Sequence, residues 1–559
     1  MWHGCIKIGI CFIVLLHLNV IANAKRIVIS SQNDFDNLGP TIGKELDNNG
    51  SVDIVLNKGV YYYRNNHLLF NGINNTSAKI RIEGKNAILV PVKTAGEEIT
   101  PYSAVLNNLQ DENFWSSMYA SSEKIVIINS NNKLCRIKRS ENNDVGENDY
   151  ILITKWFTSG IFKIDRFDDD YLYFTAIDTR FRDQYGEYDV NFDYVYDKSF
   201  PRYKLFLNRG SSLDRYICED ATFLNLKNCS LGSLTLKGLS FIGGSGNGAV
   251  VLMDGMNAAS VNVARCKFMA LHNKALDIKG LSNISIDKCE FENCCSNVIS
   301  ADEKSSNLAI TNCRWNKCGL LLNNPSCIIM PSQGYFIKNN LFIDFYGRAL
   351  TLGVYYSKGE AAHSYGEVVG NEFYFTTTFF EIGEKELLKD NGAIYVNTIN
   401  DNLIIRNNFI HDFVGAGDNR GIFMDDGARN VKVLGNVIVR VPKGHSISSR
   451  RVKTVERIAG LANVGNVIQE NIFEGTVRFE GNEVENNECV YGPNFFLLED
   501  NDASPQKMLS NVSSEEDIVL EYTGLKLGKI GISGNAKKEL RKCREWNGIK
   551  KYVTTVNRR

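Results

Sequence analysis

A three-residue anchor returns along the chain: CKF at 266–268, CEF at 289–291, CRW at 313–315, NLF at 340–342, NEF at 371–373, NNF at 407–409, NVI at 436–438 and NIF at 471–473. Each sets a Cys or Asn two places before an aromatic residue or Ile. GLSF, ending at Phe241, opens the series, and the last residues of successive anchors fall 23 to 36 positions apart. A period of roughly 20–50 residues marks a repeat architecture. Alternating segments such as NISIDKCEF and NLIIRNNFI fill the units, separated by Gly, Asn and Asp. No unit carries an amphipathic helix. Short strands in a coil of about 25 residues predict an all-β fold, a right-handed parallel β-helix of the pectate-lyase-like solenoid kind. The longer periods predict loops inserted into particular coils.

The anchor also gives the cysteines a place. Cys266, Cys289 and Cys313 are read in one column with Asn340, Asn371, Asn407, Asn436 and Asn471. Stacked Asn side chains bond to one another and to turn backbone along the axis. Cys fills the same position as a small apolar residue. Cys294 and Cys318 repeat the arrangement five residues after Cys289 and Cys313. Buried thiol ladders are therefore expected rather than disulfides, and no C-x-x-C spacing supports a zinc site.

Residues 1–24 read as a secretory signal: Lys7, an apolar run from Ile8 to Leu16, then Ala22-Asn23-Ala24 as the cleavage site. The run is too short and too broken for a membrane span. The mature chain is expected to be exported by a bacterium, to the periplasm or beyond, and to act as a monomer. Lys and Arg number 63 against 64 Asp and Glu, which argues against a nucleic-acid partner. Residues 25–97 read as an N-terminal cap and first coils, and 98–215 as an inserted antiparallel β-domain. Within it, Trp156 and the run from Tyr171 to Phe174 are read as core. Residues 216–485 form the parallel β-helix and 486–559 a polar C-terminal segment.

Three segments stand out for chemistry. Asp390-Asn391-Gly392-Ala393-Ile394-Tyr395 is followed by Ile405-Arg406-Asn407-Asn408-Phe409-Ile410-His411-Asp412. Then comes Gly421-Ile422-Phe423-Met424-Asp425-Asp426-Gly427-Ala428. In this order they resemble motifs of glycoside hydrolase family 141, exported bacterial β-helix proteins that include enzymes acting on plant cell-wall glycans. The runs from Pro201 to Asp214 and from Gly524 to Gly531 are similar to that family's link out of its inserted domain and to its tail. Phe423 stands where the family usually has Tyr. The resemblance implies hydrolysis of a complex plant or host polysaccharide by paired carboxyl groups, with no cofactor. By position these are Asp390 with Asp425 or Asp426.

The residues alone support part of this. Glycosidic cleavage needs two carboxyl groups. Alternation sends Ile422 and Met424 into the coil and Phe423 and Asp425 away from it, and Asp426 starts the turn. Asp390 precedes its strand and Asp425 ends its own, which sets them apart along the strand direction. Asp418 and Asp412 are kept as substitutes. His411, Arg420, His445 and Arg450 complete the candidate substrate-binding set. Glu367, in a long inter-strand segment, is a reserve acid. Two alternatives remain: a polysaccharide lyase, in which Asp425 and Asp426 would hold Ca²⁺ beside a uronic acid, and a non-catalytic glycan-binding β-helix.

Overall fold

The computed structural model describes residues 24–91, strands within 117–208, and residues 222–497 with gaps. The predicted leader as far as residue 23, Trp156 and the stretch 524–531 lie outside the described residues.

Three short strands make one coil. In one coil they are Lys274–Lys279, Ser282–Asp287 and Glu290–Glu292, and the next repeats them as Ile299–Ala301, Ser306–Thr311 and Arg314–Asn316. Each strand pairs in parallel with its counterpart: Ile278 with Ala301, Ile286 with Ile310, Phe291 with Trp315. Stacking produces three faces. Among the described residues the first is a sheet of eleven strands, from Leu68–Asn71 to Val477–Glu480. The second and third merge into one sheet of twenty-three, because Asn74–Pro91 and Ser230–Ile242 each run through both. The fold is a right-handed parallel β-helix.

Helices Gln32–Asp36 and Leu38–Asn49 precede the first coil and bury Phe35, Leu38, Ile42 and Leu46 in the core. The chain then leaves the solenoid and rejoins it: Ser230 pairs with Asn74 and Phe241 with Leu89. The strands between are antiparallel, with Tyr150–Lys155 lying between Thr158–Phe167 and Tyr203–Asn208. Leu172, Tyr173 and Phe174 are buried there. The antiparallel sheet is thus an insertion between neighbouring coils.

On the third face Phe241, Phe268, Phe291, Trp315, Phe342 and Phe373 stack inside the solenoid with ring centroids 3.9 to 5.4 Å apart. The series begins earlier than Phe241, since Leu89 pairs with Phe241 and Tyr61 with Leu89. Phe409 is not its next member. Phe373 pairs with Ile410, and Ile410 with Ile438.

The Asn ladder shifts with it. Asn340, Asn371, Asn408, Asn436 and Asn471 are its members, and Asn407 is not. Each side-chain oxygen accepts the backbone N–H of the preceding member at 2.9 to 3.0 Å. Each amide also donates to a carbonyl of the coil before, as Asn408 does to Val368 at 3.0 Å. Asn407 instead belongs with Arg265, Lys288, Asn312, Asn339, Gly370, Gly435 and Glu470, one left-handed turn residue per coil, with φ between 54° and 64°. Asn tolerates that conformation better than most residues. Two adjacent Asn could fill either position, and the burial of Ile410 decides the register.

Cysteine continues the ladder, as expected. Cys313 Sγ donates to the Ile286 carbonyl at 3.7 Å, as Asn340 Nδ2 does to Ile310 at 2.9 Å. Cys294 and Cys318 donate to Phe268 and Phe291 in the second column. The eight described cysteines are buried and none is in a disulfide. Burial pushes the thiols of Cys266 and Cys313 well up, and that of Cys135 to about 12. All eight are shut away from solvent, so they should resist a thiol reagent in native buffer and react after denaturation. Counting reacted sulfurs by mass spectrometry checks this; rapid native labelling of Cys289 or Cys313 would contradict the ladder.

Candidate functional site on the first face

The candidate site lies on strands Ser326–Met330, Arg348–Leu352, Asn391–Val396 and Asn419–Met424. Their inner residues follow alternation at the C-terminal end. Ile394, Val396, Ile422 and Met424 belong to the core, while Tyr395 and Phe423 do not. The alternation breaks one residue earlier. A Cβ on Gly421 would sit 2.7 Å from the Ile438 side chain, so this position also faces inward. Two successive inward positions recur as Ala275-Leu276, Ala349-Leu350 and Ala393-Ile394. The chain bends here, and the first inward position takes a small residue. The residue before it is turned outward: Lys274 reaches outward-facing Asp277 at 3.0 Å. Arg348 and Arg420 hold the corresponding place, with Gly392 between them in register.

The consequence is a connected outward cluster. The Arg348 guanidinium lies 3.5 Å from the centre of the Tyr395 ring, and that of Arg420 3.8 Å from the centre of the Phe423 ring. The two rings meet edge to face at 5.3 Å. Tyr395 Oη donates to Asp425 Oδ2 at 2.8 Å. Ser326 and Thr351 share a hydroxyl contact of 2.5 Å beside them. An outward strand face is ordinarily solvated, yet Arg348 is 1% exposed, Asp425 3% and Arg420 5%. Gly392 stands in register between Arg348 and Arg420 and carries no side chain. A Cβ there would come 3.2 Å from the Arg420 carbonyl oxygen, so the site is also tight.

Asp425 is positioned by its backbone as well. Its N–H donates to the Val396 carbonyl at 3.0 Å and its carbonyl accepts from Ala428 at 3.1 Å, which closes the turn. The phenol's hydrogen bond is strongest to an ionised carboxylate. That suits a nucleophile, a general base or a stabiliser of positive charge better than a proton donor.

The other expected residues divide. Asn391, bonded to Asp390, pairs with Asn419, whereas Val396 pairs with Met424. The residues beside Asp390 and Asp425 therefore lie at opposite ends of a strand pair about 16 Å long. Asp390, Asp418, Asp426 and His445 themselves lie outside the described residues. Arg450 ends the strand Ile447–Arg450, in register with Glu480. His411 and Asp412 are on the third face. His411 Nδ1 lies 2.6 Å from Asp412 Oδ2, and Nε2 3.2 Å from Glu372 Oε1 one coil back. The imidazole is stacked on Tyr374 and Phe409 and is buried. His411 thus makes a hydrogen bond across coils. Asp412 adopts the left-handed conformation shared by Ala270, Asn293, Lys317 and Asp344 at the same turn. Glu367 is on the second face, paired with Arg406 at 3.2 Å.

Arg348 and Tyr395 are the residues that sequence reasoning missed. Tyr395 had a visible signal, as the last residue of the D-x-G-A-I-Y segment on an outward position. Arg348 had none, because alternation from Leu350 would turn it inward. Among the described residues, no group of three His, Cys, Asp or Glu could hold a metal ion, and no helix is long and apolar enough to cross a membrane.

The family described as right-handed β-helix region matches residues 248–473. No curated protein matches the sequence. Among solved structures, one titled glycoside hydrolase is similar at 10% identity and a TM-score of 0.43, covering 83% of this chain and 91% of that one. PfbA, a surface adhesin of Streptococcus pneumoniae, is similar at 12% identity and a TM-score of 0.36, covering 80% and 83%. Likeness this distant says nothing of substrate or activity.

Proposed function

We propose that this chain is an exported, monomeric glycoside hydrolase that cleaves a polysaccharide on the outward side of the first face. Asp425 is the ionised carboxyl group of the reaction. One observation carries the reading: the D-x-G-A-I-Y and D-D-G segments meet at a carboxylate, through Tyr395 Oη on Asp425 Oδ2 at 2.8 Å. Asp426 is the group offered as its partner acid, because Asn391, next to Asp390, stands about 16 Å away along the strand pair and paired carboxyl groups need about 5–9.5 Å; the Asn variants of Asp390 and Asp426 test this.

Hydrolysis yields new reducing ends and no unsaturated, ultraviolet-absorbing sugar. It should proceed unchanged in a chelator. Incubation of the secreted protein with plant cell-wall and host polysaccharides, followed by reducing-end and absorbance assays, tests this. A lyase is the second reading, favoured by the two guanidinium groups stacked on Tyr395 and Phe423. It demands an ultraviolet-absorbing product, and Ca²⁺ dependence if Asp425 and Asp426 hold the ion. Binding of a glycan with no cleavage would leave the non-catalytic β-helix.

A further inference from the structure

We propose that a row of side chains at the border between the first and second faces, Asn283, Asn307, Tyr365, Asn402 and Asn430, binds an extended, uncharged polysaccharide lying along the solenoid axis. This extends the reading above and rests on it for the class of polymer, although binding can be measured without cleavage.

The row follows from the register. Ser282 pairs with Ser306 and Ser306 with Gln333, which sets Asn283, Asn307 and Gly334 in one column. Glu367 pairs with Ile404 and Leu403 with Val431, which continues the column as Tyr365, Asn402 and Asn430. Every member but Tyr365 has a left-handed backbone, with φ between 54° and 66°. Asn and Gly tolerate that conformation, so the turn alone accounts for them. It does not account for the tyrosine. There Gln333, Gly334 and Tyr335 face only Tyr365 and Gly366, and the register shifts. The bulge drops the left-handed residue and sets an aromatic ring in its place. Bulges re-aim side chains in this way beside functional sites.

Two glycines shape the seat of that ring. A Cβ on Gly366 would overlap the Tyr335 ring, and one on Gly334 would come 3.4 Å from Cε2 and Oη of Tyr365. Tyr335 is thus buried, whereas Tyr365 lies out over Gly334 and is 43% exposed. Asn307 Oδ1 approaches the same bare Gly334 position at 2.9 Å, so amide and ring flank one stretch of backbone. Asn283, Asn307 and Asn402 are exposed as well. Asn307 Nδ2 donates to Asn283 Oδ1 at 3.3 Å, which leaves further N–H donors open to solvent. A sugar offers a C–H face that packs on an aromatic ring and a rim of hydroxyls that bonds to amides. Coils rise by roughly 4.8 Å, near the length of one unit of an extended polysaccharide, so successive units meet successive members. No member of the row is charged, which suits an uncharged chain. Asn430 follows Asp425 in the same coil, so the row borders the end of the first face at which Asp425 stands.

Retention of the full-length protein in native affinity gels tests this, with arabinoxylan, xyloglucan, galactan or polygalacturonate in the gel. At least one of the three uncharged polymers is expected to retard the protein, at high salt as at low. Retention by none of the three overturns the proposal. Retention confined to polygalacturonate and removed by salt also overturns it, since that marks a charged surface. Tyr365→Ala should weaken retention on the order of ten-fold, and Tyr365→Phe, which keeps the ring, should preserve most of it. Asn402→Asp suits the same turn but removes both N–H donors, and should weaken retention by a smaller factor. Tyr365 lies at the surface, so its Ala variant should keep the wild-type urea midpoint. A natively folded Tyr365→Ala that is retained like the wild type overturns the proposal. Asp425→Asn should keep retention. If it also keeps cleavage, the hydrolase reading fails while the row stands. If it abolishes cleavage while Tyr365→Ala binds normally, the row alone fails.

Discussion

Asn408→Ala is expected to destabilise the solenoid by about 3–5 kcal/mol, whereas Asn407→Ala, one residue away, costs about 1 kcal/mol. Asn408 accepts from the backbone N–H and side-chain amide of Asn371, each at 3.0 Å. It donates to Val368 at 3.0 Å and to Asn436 at 2.9 Å. All four bonds are buried. Alanine removes them together and leaves the Asn371 N–H and the Val368 carbonyl desolvated without these partners, which is costlier than losing an exposed bond. Asn407 only bears the turn's left-handed backbone, at φ 55°. Glycine there should be tolerated as well as Asn. Urea unfolding midpoints of the three variants test the register directly. Should Asn407→Ala prove the more damaging, the ladder has been assigned to the wrong residue.

That contrast shows what the sequence could carry. The period, the parallel strands and the Cys-to-Asn column follow from spacing, because every coil must bury one inward residue at one place. The slip at Asn407-Asn408 arose where two residues suit two different demands: an inward amide and a positive φ. Only Ile410, paired to Phe373 in the neighbouring coil, separates them. The candidate site was legible to the same degree. Asp425 stands out by alternation from Ile422 and Met424. Arg348 does not, since the bend at Ala349-Leu350 breaks that alternation and its ring partner, Tyr395, belongs to the next coil. Strand periodicity describes one strand, and such contacts depend on which coil stacks on which. The Ala393 and Gly421 positions hold the clue: a small residue beside a core Ile marks the bend, once the coils are aligned.

The largest functional effect is expected from Asp425→Asn. If this carboxylate acts in glycosidic cleavage, its removal should lower kcat about 10³-fold or more, with substrate binding retained. Asn is close in size and can still accept from Tyr395 Oη, so the fold should hold. Tyr395→Phe separates position from chemistry. It keeps the ring under Arg348 and against Phe423, and removes only the 2.8 Å donor to Asp425. The lost donor had favoured the ionised carboxylate. Its removal should shift the acidic limb of the pH–rate profile to higher pH, with roughly a ten-fold fall in kcat near neutrality. A merely structural Tyr395 would change stability or KM and leave the shape of that profile alone. Cleavage by Asp425→Asn at the wild-type rate would rule out Asp425 as the reacting group and move the search to the opposite end of the same strands, where Asn391 and Asn419 pair.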